Sequence, residues 1–176
     1  MYSIALAIIV LVVLAGATLR GMLASRRDRC RQAWGELRAR LDRRAQLTDM
    51  VADLVAATVG ERDELPARLR TARDAAGAAG RVAERIEAER AFVAALDAAF
   101  ALARTYPALQ ANQEFARLRD ERTSHDNRIA AAAEEYNEAV AAYNKAIAAF
   151  PARLVAELFG FEPEARFELH AEGAAS

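Results

Sequence analysis

Residues 115–150 read FARLRDERTSHDNRIAAAAEEYNEAVAAYNKAIAAF, a stretch without glycine or proline. In it Phe115, Leu118, Arg122, His125, Ile129, Ala132, Tyr136, Ala139, Tyr143, Ala146 and Phe150 alternate steps of three and four. That is a heptad seam, and it predicts a helix that buries one narrow face. Run back to Pro107 and on to Ala149, such a helix is on the order of 60 Å long and needs partners along its length. The heptad Tyr136-Asn137-Glu138-Ala139-Val140-Ala141-Ala142 is echoed by Tyr143-Asn144-Lys145-Ala146-Ile147-Ala148-Ala149. The two tyrosines bury a ring but leave a hydroxyl that needs a partner, and the two asparagines are poor helix formers. They are read either as register-fixing polar positions or as ordinary packing positions.

Working outward, Trp34, Leu37, Leu41, Thr48, Val51, Val55 and Thr58 lie near a 3–4 spacing, with Leu47, Met50 and Leu54 widening the stripe. This predicts an amphipathic helix that stops at Gly60. The segment 61–66 reads as a turn, with Pro66 at the first position of a new helix. Residues 67–79 predict a short, weakly packed helix frayed by Gly77 and Gly80, and 81–105 a stronger one with Val82, Ile86, Val93, Leu96, Phe100 and Ala103 on one face, closed by Pro107. After Phe150, one or two helical turns from Pro151 to Leu158 precede a chain reversal at Phe159-Gly160-Phe161. Four of the seven phenylalanines (150, 159, 161 and 167) fall in this end of the chain. They either dock on a partner or fold back over the bundle.

The other decisive stretch is YSIALAIIVLVVLAGATL, residues 2–19, which carries no charge. As a helix it spans ~27 Å, the thickness of a hydrocarbon core. A cleaved signal peptide is disfavoured by the lack of a basic region before it, and a buried core helix by its being apolar on every face. Residues 20–44 then hold nine arginines against three acidic residues. By the positive-inside rule the body lies in the cytoplasm and the N-terminus outside, in an inner-membrane, single-pass arrangement. Arg20, Arg26, Arg27, Arg29 and Arg31 are the membrane-proximal basic residues, suited to anionic headgroups. The expected class is therefore all-α: a single N-terminal transmembrane helix continuing into an elongated antiparallel bundle of three to four helices. The expected divisions are an anchor at 1–25, a cytoplasmic bundle at 26–160 and a Phe-containing tail at 161–176 with disordered last residues.

Composition agrees with this class. The 176 residues include 45 alanines and carry 24 basic against 25 acidic side chains, a net charge of -1. Such a chain is helix-rich and has no overall field for nucleic acid. Cys30 is the only cysteine, so no internal disulfide forms, and without a neighbouring activator it reads as a small apolar filler. No phosphate loop, zinc spacing, HExxH or Cys/His dyad occurs. Glu121 and His125, four apart, are the sole weak metal candidates, and a solvated or polar seam position is the simpler reading of that charged stretch. No catalytic residue, cofactor site or nucleic-acid surface is expected.

Taken in order, Trp34 with Leu37, Leu41, Arg43-Arg44 and Leu54-Val55, then Tyr106-Pro107, Leu109, Ala111-Asn112 and Phe115, Asn127 with Ile129, the paired Tyr-Asn at 136 and 143, Phe150-Pro151, Gly160-Phe161 and Phe167-Glu168 resemble the LemA family. The family pattern after the tryptophan usually reads RR-x-D-L-I-P-N-L-V, where this chain has Arg43-Arg44-Ala45-Gln46-Leu47-Thr48-Asp49-Met50-Val51 and lacks the Pro-Asn. A second departure falls at Ser124-His125-Asp126, where an acidic residue ahead of the asparagine is more usual. The resemblance implies a bacterial single-pass membrane protein with a cytoplasmic helical bundle and no established catalytic activity, acting with membrane proteases or in stress responses. The expected role is thus a non-enzymatic scaffold or adaptor whose partners are the bilayer, through residues 2–19, and a membrane-associated protein. Alternatives are a metal- or ligand-dependent bundle enzyme and a self-associating homo-oligomer.

Overall fold

The computed structural model describes residues 2–59 and 64–169. They form six helices: α1 (Tyr2–Val59), α2 (Leu65–Ala78), α3 (Val82–Ala103), α4 (Pro107–Gln110), α5 (Gln113–Ala148) and α6 (Ala152–Phe159). No strand occurs among the described residues, so the chain is all-α as its periodicity requires. The predicted stop at Gly60, most of the turn that follows it and the predicted disorder of residues 171–176 lie outside the described residues.

Two compact units emerge. One combines the chain up to residue 35 with 134–166, and the other combines 36–133 with the chain from 167 on. Helix α1 is continuous through both ranges, for it holds no proline and its glycines sit where an added Cβ meets nothing within 4 Å.

In the first unit, Leu23, Cys30, Tyr136, Val140, Tyr143, Ile147, Ala152, Ala156 and Phe161 are buried. The Trp34 ring tilts against Tyr136 with centroids 5.5 Å apart, and Arg26 Nη1 donates to the carbonyl of Ala142 at 3.4 Å. Thirty-four faces 136 and 26 faces 142, so α1 and α5 run antiparallel here. By contrast, nothing from Tyr2 to Leu19 is buried, although this segment is the most apolar in the chain and is long enough to cross a membrane.

The second unit has a fuller core. Leu47, Val51, Ala52 and Val55 of α1 meet Leu69 and Ala76 of α2, Phe92, Leu96 and Ala99 of α3, Leu109 of α4, and Phe115 and Leu118 of α5. Phe100 and Phe115 pair at 5.1 Å between centroids.

Four expectations are corrected. The long last helix is broken at Ala111-Asn112, because Asn112 Oδ1 accepts from the amides of Glu114 (2.9 Å) and Phe115 (3.1 Å) and so caps a fresh helix. Helix α2 is not weakly packed: Leu69 and Ala76 are fully buried, and Arg70 and Arg73 reach Asp53 and Asp49 on α1. On α3 the buried stripe is Arg85, Glu89, Phe92, Leu96 and Ala99, while Val82, Ile86 and Val93 are half-buried. The α5 seam ends on Ile147 rather than Phe150, which is 84% exposed.

Candidate functional site

Two polar constellations stand out, one in each unit. In the second unit the seam of α1 passes through a charge. Leu41, Arg44, Leu47 and Thr48 are the buried positions here, and Arg44 occupies the gap that the apolar spacing leaves between Leu41 and Leu47. Glu89, only 1% exposed, is the centre: it accepts from Arg44 Nη2 at 2.5 Å and from Arg85 Nε at 2.8 Å. Arg44 Nη1 also donates to Asp126 Oδ1 at 2.9 Å, and Arg85 Nη2 to Asp42 Oδ1 at 2.8 Å. Arg122 extends the chain of charges by donating to Asp126 Oδ2 (3.2 Å) and Asp97 Oδ1 (2.6 Å).

Aromatic rings support the layer from below, with Arg44 Cζ 5.4 Å from the Phe92 centroid and Arg122 Cζ 5.2 Å from that of Phe100. Charges taken this far out of water survive only when paired and hydrogen-bonded. Arg44 Nε, Arg85 Nη1 and Thr48 Oγ1 are buried without a hydrogen-bond partner, so the satisfaction is incomplete. Every carboxylate of the layer faces a guanidinium.

Beside the layer lies a half-open cleft of about 450 Å³ lined by Phe100, Leu109, Phe115, Arg119, Arg122 and Asp126 among others. Glu121 and His125 are half-buried on α5, and no cluster of three metal-ligating side chains forms among the described residues. Tyr106 and Phe115, both family-motif positions, belong to the aromatic packing of this unit.

The first unit answers what the repeated Tyr-Asn does. Gly160 adopts the left-handed conformation (φ 66°), ends α6 and reverses the chain. Residues 161–166 then run back along α5 as an extended strap. Tyr143 Oη donates to the carbonyl of Glu162 at 3.0 Å, and Tyr136 Oη to that of Ala165 at 2.8 Å. Asn144 closes a reciprocal pair: its Nδ2 donates to the Glu164 carbonyl at 2.9 Å and its Oδ1 accepts from the Glu164 amide at 3.0 Å. A primary amide mimics a peptide group, so Asn144 satisfies both backbone groups of a residue that has no sheet or helix partner. Asn137 is half-buried on the same helix.

Phe161 is buried under the Arg27 guanidinium, 4.8 Å from the ring centroid, and Phe167 is buried in the second unit, where Arg90 Nη2 donates to the Glu168 carbonyl at 3.3 Å. The tail therefore folds back, with Phe150 and Phe159 the aromatic residues left outside. Among the predicted membrane-proximal arginines, Arg20 lies over Phe159 at 5.0 Å, Arg26 and Arg27 contact α5 and the strap, Arg31 pairs loosely with Asp28 and Arg29 is exposed.

Burial governs the titration of this strap site. It pushes the Tyr136 hydroxyl up to about 12, reinforced by the Glu164 carboxylate, and raises Tyr143 for the same first reason. Cys30 is buried, and burial followed by the Glu164 charge raises its thiol, so it is protonated and inaccessible at neutral pH. A tyrosine whose folded value lies above its unfolded value of about 10 holds its proton longer when folded, so its stabilising contribution is complete below pH 10 and is lost as pH rises toward 12. Stability of the first unit is expected to fall across that window, and Tyr136→Phe to flatten the fall in alkaline unfolding curves. Asn144→Ala removes both hydrogen bonds to Glu164 and is expected to weaken the strap by about 1–3 kcal/mol, read as faster hydrogen exchange at residues 161–166.

These features define an all-α protein whose first helix is bare and apolar at its start and packed beyond it, whose body is tied by a buried ion-pair layer, and whose tail is strapped back by a Tyr-Asn repeat. The chain belongs to the LemA family, whose model matches residues 33–176. A search of curated proteins gave no match.

Proposed function

We propose that this protein is a non-enzymatic scaffold anchored in the cytoplasmic membrane by residues 2–19, with its N-terminus outside and its helical body in the cytoplasm. The observation that carries the reading is α1 itself: eighteen uncharged, mostly apolar residues, none of them buried, lead without interruption into a helix that builds two packed cores. Such a segment exposed to water is unfavourable by about 25 cal/mol per Å² of apolar surface, and a bilayer removes that penalty. The arginine excess beginning at Arg20 supports the orientation. Buried charges of the body are used to hold its helices to one another, which supports a presenting role rather than a reaction. The partner in this reading is a membrane-associated protein, with a membrane protease among the candidates.

Photo-crosslinking in intact cells from exposed positions of the body, Arg117 and Ser124 near the cleft and Glu134 and Glu138 on α5, tests the role. Reproducible capture of one membrane protein is the expected result. Capture of other copies of this chain alone replaces the adaptor by a homo-oligomer, and capture of nothing overturns the adaptor.

A further inference from the structure

Helix α6 is amphipathic the wrong way round for a soluble protein. Its small residues Ala152 and Ala156 are buried, whereas Leu154 and Leu158 point outward together with the preceding Phe150. Leu154 and Leu158 are four apart on α6 and so share one face, flanked by Phe159 at its end and by Phe150 in the turn before it, and Phe150 and Leu158 are 84% and 78% exposed. Burying an alanine side gains little, and exposing four large apolar groups in a row costs several times as much in water.

The place of this face along α1 says what covers it. Within the first unit, Trp34 meets Tyr136 and Arg26 meets Ala142, so each step down α1 is matched by roughly one step up α5. Continued to the end of α5, this register brings Ala148 level with about residues 20–22, at 1.5 Å per residue on both helices, with Phe150 in the turn just beyond. Independently, Arg20 Cζ stacks 5.0 Å from the Phe159 ring. Both observations put the apolar face of α6 at the end of the uncharged segment 2–19, where a chain anchored by that segment meets the headgroups. Arg20, against Phe159, and Lys145, one turn before the end of α5, are exposed cations complementary to anionic lipid, while exposed Arg153 pairs with Glu157 at 2.8 Å.

We propose that α6 is a second membrane contact: its Phe150–Leu154–Leu158–Phe159 face lies in the interface of the same bilayer, on an anionic lipid surface, and fixes the angle at which the body leaves the membrane. This rests on the anchoring by residues 2–19 proposed above. Short interfacial helices of this kind bury their apolar side about 5–10 Å into the boundary of headgroups and acyl chains. The large residues outside and alanines inside are then the appropriate arrangement, because the lipid and not the protein interior is the apolar phase.

The test uses the full chain in phosphatidylcholine–phosphatidylglycerol vesicles, with a bimane fluorophore on Leu158→Cys and, as control, on Glu138→Cys, an exposed position further up α5. Buried Cys30 stays unlabelled. Lipids brominated near the top of the acyl chain are expected to quench the label at 158, with a blue-shifted emission, and to leave the label at 138 unaffected. Carbonate extraction of the same vesicles reports the anchor separately. A protein that resists extraction but shows water-like emission at 158 overturns the interfacial contact alone. Blue-shifted emission without bromine quenching assigns the face to a second copy of the chain and overturns it as well. Release by carbonate overturns the anchor and this contact together.

Discussion

Glu89→Ala is expected to destabilise the protein by about 3–5 kcal/mol, among the largest effects available to any single substitution in the chain. The carboxylate is shared by two guanidinium groups that are themselves almost wholly buried, Arg44 and Arg85. Its loss leaves both cations with one partner fewer in a place that water does not reach, while Arg44 Nε and Arg85 Nη1 already lack partners. Asp126 and Asp42 cannot replace it, since each is committed to the outer side of one guanidinium. Urea unfolding of the full chain in micelles, followed by circular dichroism, measures the change. Replacing Arg44, Arg85 and Glu89 together by Met, Leu and Met is expected to recover most of the loss, because the partly exposed Asp42 and Asp126 then turn to water and no buried charge remains. A Glu89→Ala loss below about 1 kcal/mol would show that the layer is hydrated rather than buried.

The second large effect concerns the bare end of α1. Introducing Ile9→Asp and Val12→Asp together is expected to shift the protein from the carbonate-resistant membrane fraction to the soluble one. Both side chains are well exposed, so in an aqueous protein these changes fall within about 0.5 kcal/mol. Each aspartate at the centre of a membrane helix instead costs about 2.5–3.5 kcal/mol. The same pair of substitutions is thus nearly silent in water and disabling in lipid, and an unchanged membrane fraction would contradict the anchor.

Periodicity revealed the packed part of α1, α3 and α5, because apolar residues at steps of three and four leave a signature that needs no tertiary information. It missed the break at Asn112, where one side-chain oxygen on two amides outweighs the helical propensity of the flanking residues. On α3 it placed Leu96 and Phe100 in the core but chose the wrong residues in the first half of the helix. Apolar pattern alone selects Val82, Ile86 and Val93, whereas the buried face starts with Arg85 and Glu89 and becomes tolerable only through Arg44 on another helix. A trace of that layer does exist in the sequence: the α1 stripe steps from Leu41 to Thr48 with a vacancy that only residue 44 or 45 can fill. The Tyr-Asn repeat was visible as a pattern, but its partners are backbone groups of residues 162–165, and backbone groups carry no sequence signal. Likewise, the outward face of α6 reads as ordinary hydrophobic residues until its neighbours are known.

The central claim, a single-pass anchor that holds the helical body on the cytoplasmic side, is tested most directly by maleimide labelling of Ser3→Cys and Glu138→Cys in intact spheroplasts. Native Cys30 is buried and stays silent. The account predicts that a membrane-impermeant maleimide labels position 3 at once and position 138 only after the membrane is opened. Labelling of 138 in intact spheroplasts, with 3 protected, would contradict it.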